Sequence, residues 1–176
     1  MELPNFKYHH NPIETGAIEK SDKICQCCNE LRGYRYTSTM YAEEDIENIC
    51  PWCISEGLAA KKFDGVFSDR SPLLEAGISQ EIIDEVCKRT PGYSSWQQEV
   101  WQSHCDDACT FHGDAKKEEL LALDGEALEE FLKVERINKP EIWKEILEYY
   151  EEGGNPAIYK FVCTKCSKVI YTMDFT

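Results

Sequence analysis

The sequence predicts an α+β fold: a small cysteine-rich unit, then a mainly helical part, then a closing β-hairpin. Three observations carry this. Two Cys-x-x-Cys pairs, Cys25/Cys28 and Cys50/Cys53, flank a Tyr- and Thr-rich stretch. Apolar residues recur at helical spacing between Ile78 and Tyr150. The chain ends in two strand-like segments around a third pair, Cys163 and Cys166.

Residues 1–20, with scattered Pro, Asn and Gly and no helical period, read as an extended arm carrying Tyr8, His9 and His10. Residues 33–40 suit a strand. Residues 41–49 are acidic and are expected to be helical, and residues 54–63 to form a short helix. From Ile78 the apolar residues Ile82, Ile83, Val86 and Cys87 share one face, so Cys87 reads as a buried structural thiol. Pro91 and Gly92 end that helix. Ser94 and Gln97 have the spacing of a capping box, predicting a helix that aligns Trp96, Val100 and Trp101. Residues 115–134 read as two helical pieces broken at Asp124 and Gly125. Asn138 with Glu141 opens a further helix carrying Ile142, Trp143, Ile146, Leu147 and Tyr150. Residues 157–162 and 168–172 are the hairpin strands. The expected division is 1–67 for the arm and cysteine unit and 68–176 for the remainder.

The 176 residues include 42% hydrophobic and 30% charged, enough apolar material for a packed core. The longest apolar run is only the four residues 120–123, far short of the roughly 20 that a membrane span needs. No secretory core is visible either, so a cytoplasmic protein is expected. The net charge is −14, and the acidic residues concentrate in 118–152. Such a surface repels phosphate backbones and anionic membranes and would suit a basic protein partner. Tyr34, Arg35 and Tyr36 interleave aromatic and basic character, yet the overall charge opposes a nucleic-acid role.

Ten cysteines without a secretory signal read as metal ligands before disulfides. Cys25, Cys28, Cys50 and Cys53, with twenty-one residues between the pairs, have close to the spacing of a structural four-thiolate Zn²⁺ site of the zinc-ribbon type. Two tight turns converge four sulfurs on one ion there. Cys27 is a competing neighbour. Cys50-Pro-Trp-Cys53 alone would also serve thiol redox chemistry, but such an enzyme uses one pair on a βαβ scaffold. Cys105, Cys109, Cys163 and Cys166 form a possible second zinc site, with His104 or His112 as substitute ligands. One zinc ion is expected and a second is possible, and two four-thiolate sites would take the charge to about −18. The same stretch admits an enzymatic reading, in which His104, Cys105, Asp106 and Asp107 supply base, nucleophile and carboxylates. Adjacent residues rarely converge in that way. No phosphate-binding glycine loop, Gly-x-Ser-x-Gly elbow or His-Glu-x-x-His helix is present, so no catalytic residue is assigned.

Cys25-Gln-Cys-Cys, Arg32-Gly-Tyr, Cys50-Pro-Trp-Cys-Ile, Pro91-Gly-Tyr-Ser-Ser-Trp-Gln-Gln-Glu and His104-Cys-Asp-Asp-Ala-Cys resemble the CbrC family of bacterial colicin tolerance proteins. The resemblance runs from Leu3 to about Gly113 and resumes at the terminal hairpin. It implies a bacterial cytoplasmic protein linked to tolerance of a DNA-cleaving toxin, and it supplies no catalytic residues. Asn29 stands where that family's first knuckle has Gly, and Asn also tolerates left-handed backbone. His10 and Asn11 depart from its Tyr-His-Pro opening, and residues 114–152 match it least.

Overall fold

A computed structural model describes residues 2–176. It combines helices with two antiparallel sheets, an α+β architecture. The expected arm, followed here from Glu2, is irregular but anchored: Phe6, Tyr8 and His9 are all buried. Strand β1 (Ile18–Lys20) pairs with β2 (Tyr34–Tyr36), Ile18 opposite Tyr36. Two short helices follow, α1 (Pro51–Ser55) and α2 (Leu58–Phe63), then α3 (Ser71–Glu75) and α4 (Gln80–Arg89). The second sheet has the order β3-β4-β5-β6. Its strands are β3 (Ser103–His104), β4 (Asp107–Asp114), β5 (Ala157–Cys163) and β6 (Val169–Asp174). Helices α5 (Lys117–Leu121), α6 (Gly125–Val134) and α7 (Pro140–Tyr149) lie between β4 and β5 in the chain.

Three apolar clusters hold these elements together. One gathers Phe6, Ile18, Tyr36, Ile49, Ile54 and Phe67 around the first cysteine pairs. The middle one joins the Ile83, Val86 and Cys87 face of α4 to the sheet, and Tyr93 stacks on Phe111 there at 4.3 Å between ring centroids. Cys87 is buried as its position on the stripe required. The third packs Leu120, Phe131, Trp143, Leu147 and Tyr150 of the acidic segment onto Ile158. Each large buried side chain contributes about 1.5–3 kcal/mol. The charged residues of 118–152 are left on the opposite faces, the arrangement of amphipathic helices.

Two expected helices do not form. Residues 41–49 are irregular, because four carboxylates in five positions, 43–47, leave only Ile46 to pack. Their backbone is satisfied from outside: Tyr41 and Val66 exchange hydrogen bonds, and the amides of Glu47 and Asn48 donate to Gln26 Oε1. Residues 94–101 are also irregular. The amides of Trp96 and Gln97 donate to Asp174 Oδ2, and that of Val100 to the Tyr93 hydroxyl, so tertiary partners take the bonds that a helix would have used. At α7 the N-cap is Lys139 followed by Pro140, and no Asn138–Glu141 box forms. Sequence reasoning also missed β4. The terminal hairpin it expected is therefore one edge of a larger four-stranded sheet.

Candidate metal centres

The first centre is built from a turn and a helix start. Around Cys25 and Cys28 the amide of Cys25 donates to the Glu30 carbonyl and that of Asn29 to the Cys25 carbonyl, with Asn29 at φ 59°. This tight turn points two sulfurs the same way. Cys50 is the N-cap of α1 and Cys53 lies one turn in, with Pro51 fixing the helical φ between them. The fold brings all four sulfurs within 4.8 Å of one another. Cys25 Sγ and Cys53 Sγ are 3.9 Å apart, as are Cys28 Sγ and Cys50 Sγ. A tetrahedral ion with metal–sulfur bonds of about 2.3 Å sets its sulfurs about 3.8 Å apart, whereas a disulfide needs about 2 Å. The spacing therefore fits a shared ion, and all ten cysteines are free.

Charge in this centre is managed by backbone. The Cys50 amide points at Cys25 Sγ at 3.2 Å. The Cys50 thiol and the amides of Cys28, Cys50 and Cys27 together pull the Cys25 thiol down to about 4. Cys50 is pushed up because it donates to Cys25, and Cys53 is pushed up by burial. Without an ion the sulfurs share protons; with one, all are ligands. Arg32 lies over the Trp52 ring at 5.8 Å, and the Cys28 sulfur, then Glu30, holds its guanidinium more firmly charged. Cys27 stays outside the four-sulfur group, its thiol raised chiefly by burial.

The second centre repeats the turn. The amide of Cys163 donates to the Lys168 carbonyl and that of Ser167 to the Cys163 carbonyl, with Ser167 at φ 61°. These are the same two bonds that shape Cys25–Cys28. Opposite it, Cys105 and Asp106 form the two-residue turn between β3 and β4 at φ 56° and 55°, the pattern of a type I′ hairpin. A cysteine in left-handed backbone is uncommon, and here it carries a donor to a tip. His104, Cys105, Cys163 and Cys166 lie within 4.8 Å of one another. Cys105 Sγ and Cys166 Sγ are 3.8 Å apart, and His104 Nδ1 is 3.2 and 3.3 Å from those two sulfurs. Burial raises the Cys163 thiol, but the amides of Cys166 and Lys165 outweigh it and bring it to about 6. Its hydrogen bond with Cys166 pushes Cys105 up to about 11.

The sequence reading placed Cys109 in this set and held His104 in reserve. The structure gathers His104 instead. Cys109 sits in β4 opposite Cys163, fully buried in the middle core, and burial pushes its thiol up to about 12. The reason is the turn: Cys105 stands at its tip, whereas Cys109, four positions further on, lies inside β4, where residues 107–111 are all buried. His112 is not in the cluster and its ring lies 6.5 Å from that of His10.

Asp107 locks the second centre to the fold. It is buried and accepts from the Tyr8 hydroxyl at 2.7 Å and the Thr164 hydroxyl at 2.8 Å, joining the arm, the β3–β4 turn and the Cys163–Cys166 turn. Burial raises this carboxyl, but the two hydroxyls and Lys7 more than reverse that and hold it below the usual range. The sequence reading weighs Asp107 only as a carboxylate of an enzymatic site, not as a tie between three segments.

The architecture defines a class: an α+β protein with two clusters of thiol-rich donors, each able to hold a metal ion. The chain belongs to the uncharacterised protein family UPF0167, whose pattern matches residues 3–175. It is similar to the UPF0167 protein PA1536 of Pseudomonas aeruginosa, with 46% identity covering 99% of this chain and 98% of that one. It is also similar to the UPF0167 protein Mb2317 of Mycobacterium bovis, with 36% identity over 99% of this chain and 95% of that one. No solved structure matches the chain. Among the described residues, no helix is long and apolar enough to cross a membrane.

Proposed function

We propose that this is a zinc-binding, non-catalytic interaction protein whose acidic surface meets a basic protein partner. The observation that supports it is that both clusters offer four protein donors at tetrahedral spacing. A catalytic zinc keeps one position for water, whereas closed thiolate-rich shells are structural. Soft sulfur donors in a tetrahedron favour zinc over magnesium, calcium or manganese. Residues 25, 28, 50 and 53 would hold one ion, and 104, 105, 163 and 166 the other, with His104 replacing Cys109 as donor. The ions would cross-link each turn to the element facing it, α1 at the first centre and the β3–β4 hairpin at the second. A thiol-rich protein of this kind suits a reducing compartment, the cytoplasm. The net charge of −14 supports the basic partner, and the resemblance to the CbrC family supports a toxin- or stress-tolerance setting.

The test of the metal half is elemental analysis of protein purified without chelator, with two zinc ions per chain expected. The test of the partner half is pull-down at low and high salt: a basic protein retained only at low salt is expected, and salt-independent recovery or none overturns it. One observation favours a second reading, a thiol enzyme: His104 Nδ1 lies 3.2 Å from the exposed Cys105 thiol. An ion bound there removes that reading, since the thiolate would then be a ligand.

A further inference from the structure

The block 91–101, conspicuous in the sequence and unused by either centre, forms one wall of a cleft of about 270 Å³. The bulge in β4, the turn after α7, the start of β5 and Thr15 of the arm supply the rest, and no residue of the two clusters lines it. Its volume equals about nine waters, room for a short linear amine.

The cleft is aromatic, with Tyr93, Trp96, Phe111 and Tyr159 lining it. Their polar atoms are committed elsewhere. The Tyr93 hydroxyl accepts from the Val100 amide, the Tyr159 hydroxyl donates to the Ser94 carbonyl, and the Trp96 indole N–H donates to the Gly154 carbonyl at 2.9 Å. What remains for a ligand is ring surface. Among the described residues, no Lys, Arg or His lines the cleft, and Asp114 is the one carboxylate there.

Asp114 is the unusual member. Its Oδ1 is buried with no hydrogen-bond partner. Burial lifts its carboxyl above the ordinary range; the Gly153 amide and its own amide oppose this, and the nearby Glu152 adds to it. Beside it Gly113, at φ 87°, lets Thr15 close the wall: a Cβ there would stand 3.2 Å from Thr15 Cγ2. A half-buried carboxylate without a counter-charge bears part of that desolvation cost, and ring faces beside it attract cations.

We propose that this cleft binds an alkylammonium group, with Asp114 as its counter-ion and the half-exposed Trp96 as its outer wall. The group can come from a free amine or from a lysine side chain of a partner. The site does not depend on metal at either centre.

The test is calorimetric titration of the full chain with cadaverine and, separately, with Nα-acetyl-lysine amide, using 1-pentanol as the uncharged control. Saturable binding of at least one amine and none of pentanol is expected. Asp114→Asn should weaken it about tenfold or more, the size of one charge-assisted hydrogen bond. Trp96→Ala, at an exposed position, should weaken it about three- to thirtyfold, the range of a cation–π contact. Metal content should be unchanged in both variants. Tighter cadaverine binding assigns the site to a free diamine, and tighter binding of the lysine derivative assigns it to a protein partner. No saturable binding of either amine, equal binding of pentanol, or full affinity in both variants overturns the proposal.

Discussion

The two donor clusters share one turn geometry and differ in what surrounds them. In the first, Cys25, Cys50 and Cys53 are buried among Phe6, Ile18, Tyr36 and Ile54, so the sulfurs belong to an apolar core. In the second only Cys163 is buried, while Cys105 and Cys166 stand exposed at the tips of two β-turns. Each gathers four donor atoms within 4.8 Å, so each could hold an ion. Unequal burial gives the fold an unequal dependence on it, because buried sulfurs stripped of an ion keep their desolvation cost and exposed ones return to water.

The largest expected effect follows from breaking the buried cluster. A structural zinc contributes about 10–16 kcal/mol to the fold that holds it, comparable with a domain's entire stability of about 5–15 kcal/mol. Cys53→Ser should lose one metal ion and the dispersed amide resonances of 18–67. Native-like spectra for that variant would end the distinction drawn here. Cys166→Ser should lose the other ion yet keep those resonances, with the melting temperature falling by about 2–4 °C for each kcal/mol of hairpin stability lost.

Acid sharpens the comparison through the core between the centres. His9 is buried, within hydrogen-bond distance of the Pro91 carbonyl and of Thr15 Oγ1, and burial lowers its imidazole to about 4. Its neutral form is the folded one. Stability from this group is therefore complete above the unfolded value of about 6.5 and lost as pH falls toward 4, a change of up to about 3 kcal/mol. His9→Gln should flatten that part of the stability–pH curve, measured by urea unfolding against wild type so that ligand protonation cancels. An unchanged slope would mean that His9 is not held neutral. The smallest effect separates ligand from neighbour: Cys109→Ala should leave the metal content unchanged and cost about 1 kcal/mol, an ordinary core substitution.

Much of this was legible because cysteine spacing and helical period are local signals. Cys25, Cys28, Cys50 and Cys53 meet as their spacing implied, and the break at Asp124–Gly125 separates α5 from α6. The second centre was half legible. Its terminal pair was evident, but choosing His104 over Cys109 requires the β3–β4 turn, and Cys105-Asp106 lacks the Asn-Gly or Asp-Gly that marks such a turn. The helix expected to open at Ser94 failed for a tertiary reason. Asp174, nearly eighty residues away, accepts two of its amides, and no local pattern records that. The acidic stretch 41–49 failed because charge repulsion and a missing apolar stripe outweighed residues with fair helix propensity.

The central claim is tested most directly by metal content per chain on protein prepared without chelator, paired with a count of thiols that react in the native state. Two ions per chain are predicted, with seven cysteines and His104 engaged and the partly exposed Cys27 the main reactive thiol. No more than one ion, with Cys105 and Cys166 reacting at once, would contradict the account.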